Sequence, residues 1–186
     1  MKHYVMEKAE ANEITYQQQG YKDVISTISS AGGGTISLFL GRYTPNKQKA
    51  LDDIASNSDY DVQLVETSEY VTASFRETKN NFDELFEDSD PNTLFYFING
   101  DKLCGVYTGF TQSKVKYATP HERYLFDKIK NFQGAIILDI ANMDAVDESL
   151  LRASDAIINF PMPKSPIRRF LFGLKNYTFH GYEFKT

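Results

Sequence analysis

The sequence predicts an α/β domain built on a doubly wound, five-stranded parallel sheet, and three observations carry that expectation. Apolar runs of strand length alternate five times with segments of helical period, the pattern of parallel strands joined by crossover helices. The run Leu94 to Ile98 (LFYFI) is continuously apolar, as a central strand covered on both faces must be. The stretch Thr35 to Ala55 passes from Ile36, Leu38, Phe39 and Leu40 through Gly41 and a polar turn. It then shows Ala50, Leu51, Ile54 and Ala55 at helical spacing, so it reads as strand, loop and helix. With right-handed crossovers, such a sheet sets its ligand crevice at the carboxyl ends of its strands.

The elements follow in order. Residues 1–19 read as an N-terminal arm, or as a marginal helix that needs a partner surface. The α/β domain spans 20–175. Tyr21, Ile25 and Ile28 give a short amphipathic helix stopped by Gly32-Gly33-Gly34, which leads into the first strand. Strands are expected at 35–41, 61–66, 93–98, 135–141 and 156–160. Between them, a helix is expected over 46–56, and another over 75–87 with Phe82, Leu85 and Phe86 on one stripe. A third opens at Pro120, buries Leu125, Ile129 and Phe132, and stops at Gly134. Asp147 caps a short helix running through Arg152, and Ser165 starts a last one carrying Ile167, Phe170, Leu171 and Leu174. The long loop from Asn99 to Thr119 is of a length usually functional or mobile. In the tail, 176–186, Tyr177, Phe179, Tyr182 and Phe184 flank His180-Gly181. It reads as a hairpin or aromatic tail that packs on the sheet edge or docks on another subunit.

Composition bounds the function. With 186 residues the chain has room for one domain with short appendages, and a 41% apolar, 24% charged makeup is that of an ordinary globular protein. Net charge is −5 with no basic block, so no nucleic-acid partner is expected. No apolar run approaches about 18 residues and the N-terminus lacks a signal-peptide core, so no membrane partner is expected and the location reads as cytoplasmic. A single cysteine, Cys104, excludes an internal disulfide and reads as a packed or loop residue. His3, His121 and His180 lack ligand spacing, and no metal site is expected. Asp52-Asp53 and the acidic run Asp83 to Asp90 read as solvated helix faces.

The segment after the first strand has the frame of a phosphate-binding loop. That chemistry needs glycines that let backbone N–H groups crowd a phosphate, a Lys for the terminal phosphates, and a Ser or Thr for magnesium. Only Gly41 and Lys47 stand where they should. Arg42, Tyr43, Thr44, Pro45 and Asn46 fill the loop with side chains, Pro45 deletes a donor, and Gln48 replaces the metal-holding hydroxyl. Lys47 reads either as the remnant of a nucleotide site or as a solvated lysine at a helix start.

Two further stretches extend the pattern: VETSEYVTASFRETKNNFDELFEDSD, with Arg76-Glu77-Thr78-Lys79-Asn80, and FQGAIILDIANMDAVDESLLRASDAIINFPMP. Together with the loop they make the chain, from about Gly34 to Phe170, resemble the AAA+ ATPase module of the P-loop NTPase fold. The resemblance implies a three-layer sandwich with strand order 5-1-4-3-2 and the first strand central. It also implies a sensor-like role for Asn142 and places Arg152 where the family has a trans-acting arginine. In the family, the third strand ends in an Asp that helps hold magnesium and a Glu that activates water; Ile98 and Asn99 stand there, with Asp101 just beyond. The family also carries a helical lid after the Phe-Pro-x-Pro strand, where this sequence has at most one helix and the aromatic tail.

The expectation is therefore a catalytically inactive, AAA+-like pseudo-ATPase with no catalytic residue and no metal. Gly41, Lys47 and Asn142 form its vestigial nucleotide site. No cofactor is expected, with ATP or ADP held without magnesium as the remaining option. Its role is structural, regulatory or protein-interacting, through a protein partner or self-association at Arg152, Tyr177, Phe179, Tyr182 and Phe184. Asn142 as a turn cap and Arg152 as a surface salt-bridge partner are the ordinary readings of those two residues. The competing reading is an ATP-binding AAA+ protein with weak or unorthodox ATPase activity, using Lys47 and a metal site from Asp101 or Asp139.

Overall fold

Parallel pairing organises the chain. The structure, a computed structural model, describes residues 13–30, 33–104, 119–142, 146 and 148–176. Its strands are β1 (Glu13–Thr15), β2 (Thr35–Leu40), β3 (Asp61–Glu66), β4 (Thr93–Ile98), β5 (Ala135–Ile140) and β6 (Ala156–Asn159). They form a six-stranded sheet in the order β1-β6-β2-β5-β4-β3, with every adjacent pair parallel. The five-stranded sheet and order expected from the sequence are thus not the sheet observed, although β2 to β6 run as β6-β2-β5-β4-β3 within it.

The added strand comes from the segment read as an arm or marginal helix. Without it, β6 would expose a row of unpaired backbone groups, the usual liability of a sheet edge. Ile14 and Thr15 suit a pleated strand, and Tyr16 N–H donates to the Asn159 carbonyl at 2.9 Å. The Asn159 side chain donates to Glu13 Oε1 at 2.8 Å, and the Tyr16 ring packs against Tyr21 and Phe160.

Helices cover both faces. They are α1 (Tyr21–Ser30), α2 (Thr44–Ser56), α3 (Thr67–Tyr70), α4 (Phe75–Glu87), α5 (Pro120–Ile129), α6 (Glu148–Ala153) and α7 (Pro166–Asn176), with a 3-10 turn at Gly100–Lys102. Because strand side chains alternate between faces, β2, β4 and β5 feed two cores. Phe39, Tyr96, Ile137 and Ile158 face α1 and α2, packing with Ile25, Ile28, Leu51 and Ile54. Leu38, Phe97, Leu138 and Ile140 face the other way, toward Phe82 of α4, Leu125 of α5 and Leu150 of α6. Cys104 is buried beside this second core.

Local chemistry sets the helix starts. Thr119 and Glu122 form a reciprocal capping box that opens α5, and Ser74 caps α4. α2 begins two residues earlier than the apolar period predicts, at Thr44, because Pro45 in a first turn has no N–H to lose. Among the described residues no helix is long and apolar enough to cross a membrane. Tyr177, Phe179, Tyr182, Phe184, Asp147 and most of the 99–119 loop lie outside the described residues.

Candidate functional site

The crevice at the carboxyl ends of β2, β4 and β5 is where the sequence locates a vestigial nucleotide site. Its loop is short: β2 ends at Leu40 and α2 starts at Thr44, leaving residues 41–43 between them. Three of the backbone donors that would surround a phosphate are spent on carbonyls. Gly41 N–H donates to Ile140 at 2.9 Å, Thr44 N–H to Arg42 at 3.0 Å and Asn46 N–H to Tyr43 at 3.3 Å, while Pro45 has none to give. Gly41 has φ of +115°, and a Cβ there would stand 2.4 Å from the Phe160 carbonyl oxygen. The glycine is required by the close pass of β6's end, with or without any ligand.

Lys47 overturns its reading as a solvated lysine. It is 1% exposed, and its ammonium turns inward from α2 to form an ion pair with Asp139 on β5. Tyr96 on β4 donates its hydroxyl to the other carboxylate oxygen at 2.8 Å, and Lys47 Nζ also lies 3.4 Å from the Ile140 carbonyl. Burial pushes the Lys47 pKa below that of an ordinary lysine, and the Asp139 carboxylate works against that shift. Asp139 stands opposite Phe39 in the strand register, so the pair sits inside the core beneath α2.

The remaining polar groups at the strand ends hold one another. Asp101 accepts hydrogen bonds from the backbone N–H groups of Ala141 at 2.8 Å and Asn142 at 2.7 Å, pinning the turn after β4 to the end of β5. Asn99 adopts a left-handed backbone, φ +58°, and its amide donates to both oxygens of Glu66 at 3.1 and 3.0 Å. Thr67 donates to the Ile98 carbonyl at 2.7 Å. Both carboxylates considered for an unorthodox metal site, Asp101 and Asp139, are engaged with protein donors. Among the described residues no group of three or more His, Cys, Asp or Glu side chains is placed to hold a metal ion. Arg152 is exposed and pairs with Glu148 one turn back on α6.

Glu66 gives this network a pH signature. Burial alone raises its pKa, but the hydrogen bonds from Asn99 and Ser68 outweigh burial and hold it below the ordinary carboxylate value of 4.5. A depressed carboxyl contributes stability that is complete above its unfolded pKa and is lost as pH falls through the folded one. Glu66→Gln is therefore expected to be less stable than the parent at neutral pH, with the gap closing in acid. Urea unfolding at both pH values checks this, and a gap that persists in acid would refute it.

Sequence reasoning located Gly41, Lys47 and Asn142 but did not pair Lys47 with Asp139 or bring in Tyr96. A signal existed: Asp139 is a carboxylate inside the apolar run AIILDI, and a buried charge needs a partner.

No protein-family model and no curated protein matches this chain. A chain in the solved structure of the E. coli MS115-1 HORMA:CdnC:Trip13 complex is similar in fold, with a TM-score of 0.50 and 15% identity. The match covers 80% of this chain and 55% of that one, so this chain spans only about half of that longer chain. At that identity the likeness concerns the α/β fold alone.

Proposed function

We propose that this chain is a P-loop-type, AAA+-like domain whose nucleotide crevice is closed by its own side chains. It serves as a structural, regulatory or protein-interaction module instead of turning over ATP. The observation that carries this reading is the buried Lys47–Asp139 pair. In an active site of this class, the lysine ammonium must be available to phosphate oxygens. Here a carboxylate takes the place of the phosphate, and Tyr96 fixes that carboxylate from its other side.

The fit of a magnesium nucleotide is poor on the same evidence. The 41–43 loop is a poor cradle, since its glycine is pressed against the Phe160 carbonyl, the N–H groups of Gly41, Thr44 and Asn46 are taken, and Pro45 has none. Gln48, in the place of the metal-holding hydroxyl, donates to Asp52 at 3.1 Å along its own helix. Phosphoryl transfer relies on positioning and electrostatics, so these losses act together.

The test is calorimetric titration of the full chain with ATP and ADP, with and without magnesium. No saturable heat is expected in any of the four titrations. Low-micromolar binding that disappears in a Lys47→Met/Asp139→Leu/Tyr96→Phe variant would overturn the reading, since that variant removes the ammonium without stranding a buried charge.

A further inference from the structure

Helix α7 turns its apolar side away from the domain. Ile167, Phe170 and Leu171, at the i, i+3, i+4 spacing of a docking face, are 71%, 66% and 53% exposed. The helix leans on the body through Phe172, whose ring lies 5.2 Å from that of Tyr43. Residues 161–176 contain Lys164, Arg168, Arg169 and Lys175 and no carboxylate, in a chain whose net charge is −5. Whatever covers this helix must offer an apolar floor and an acidic rim.

The chain itself offers such a surface. Between the ends of α4 and α5 lies a groove of about 280 Å³ with Phe86, Pro91 and Phe132 in its lining and Glu87 beside them. Asp88 and Asp90 are exposed next to it. The lining cation, Lys128, is already held by Asp83. The groove opens just before the amino ends of β4 and β5, whereas α7 follows β6 and rests on Tyr43 beyond the carboxyl end of β2. A six-residue strand, about 20 Å long, separates the two ends. With α7 resting on Tyr43, a molecule does not seat its own α7 there.

We propose that α7 docks into the Phe86–Phe132 groove of a second copy of this chain. Phe170 fills the apolar floor, Arg168 and Arg169 face Glu87, Asp88 and Asp90, and copies join head to tail. The proposal rests on the reading of the domain as an interaction module and supplies that module's partner. Two competing occupants fit less well. Pairing α7 with α7 would bring two basic helices together with no carboxylate between them, and an anionic bilayer would repel the rest of the chain, which is more acidic than the whole.

Light scattering of the full chain over a concentration series tests this. The weight-average mass is expected to rise with concentration at low salt and to fall back at high salt. Phe170→Glu, Ile167→Glu and the groove variant Glu87→Lys/Asp88→Lys should each weaken association at least tenfold while retaining the parent circular dichroism. Mixing Phe170→Glu with the groove variant should restore a one-to-one dimer, since each then supplies the surface the other lacks. A full chain that stays monomeric at every concentration overturns the proposal. So does a groove variant that associates like the parent while Phe170→Glu does not, the mark of α7–α7 pairing. Flotation with phosphatidylserine vesicles by a chain that is otherwise monomeric also overturns it. None of these outcomes touches the closed crevice, which the nucleotide titration tests separately.

Discussion

Lys47→Ala is expected to cost about 3–5 kcal/mol of folding stability, the usual penalty for stranding one member of a buried ion pair. Asp139 is 6% exposed, so truncating the lysine removes the cation that faces its carboxylate inside the core. Removing the whole cluster is a different experiment. Lys47→Met/Asp139→Leu/Tyr96→Phe exchanges a desolvated charge network for apolar packing, and its stability should lie within about 1 kcal/mol of the parent or above it. Denaturant unfolding of the two variants measures both effects. A Lys47→Ala protein as stable as the parent would show that the lysine is solvated and available, and the closed-crevice reading would fail with it.

Gly41→Ala should be nearly as damaging, at about 2–4 kcal/mol. Two penalties combine: a left-handed backbone for an L-residue, and a Cβ placed 2.4 Å from the Phe160 carbonyl, where backbone and not a flexible side chain must yield. A glycine kept for phosphate approach would behave otherwise, losing nucleotide affinity with little change in the thermal midpoint. Thermal unfolding of Gly41→Ala separates the two roles.

These residues also show what the sequence made legible. The strands β2 to β6 were readable because each is a short apolar run, and their ends fall within one residue of expectation, as at Leu40 and Ile140. β1 was not, since three residues carry no periodicity and their pairing partner lies on β6. In the crevice, Gly41 and Lys47 stood out by spacing, yet their meaning depends on Phe160 and Asp139. The second of these lies 92 positions from Lys47, a relation no local pattern encodes. The periodicity of α7 was equally plain, but period alone says that a helix has an apolar side, not which way that side faces.

The edge strand β1 carries a consequence for how the protein is made. Glu13 and Asn159, which bond across the β1–β6 pair, are 146 positions apart. During synthesis β1 leaves the ribosome before β2 to β5 and its template β6 after them, so it waits unpaired while they gather. Closing so long a loop earns no contact until β6 has docked on β2. β1 is therefore expected to be secured last in folding and released first in unfolding, so the amides that bridge β1 and β6 should exchange with solvent before those between β2 and β5.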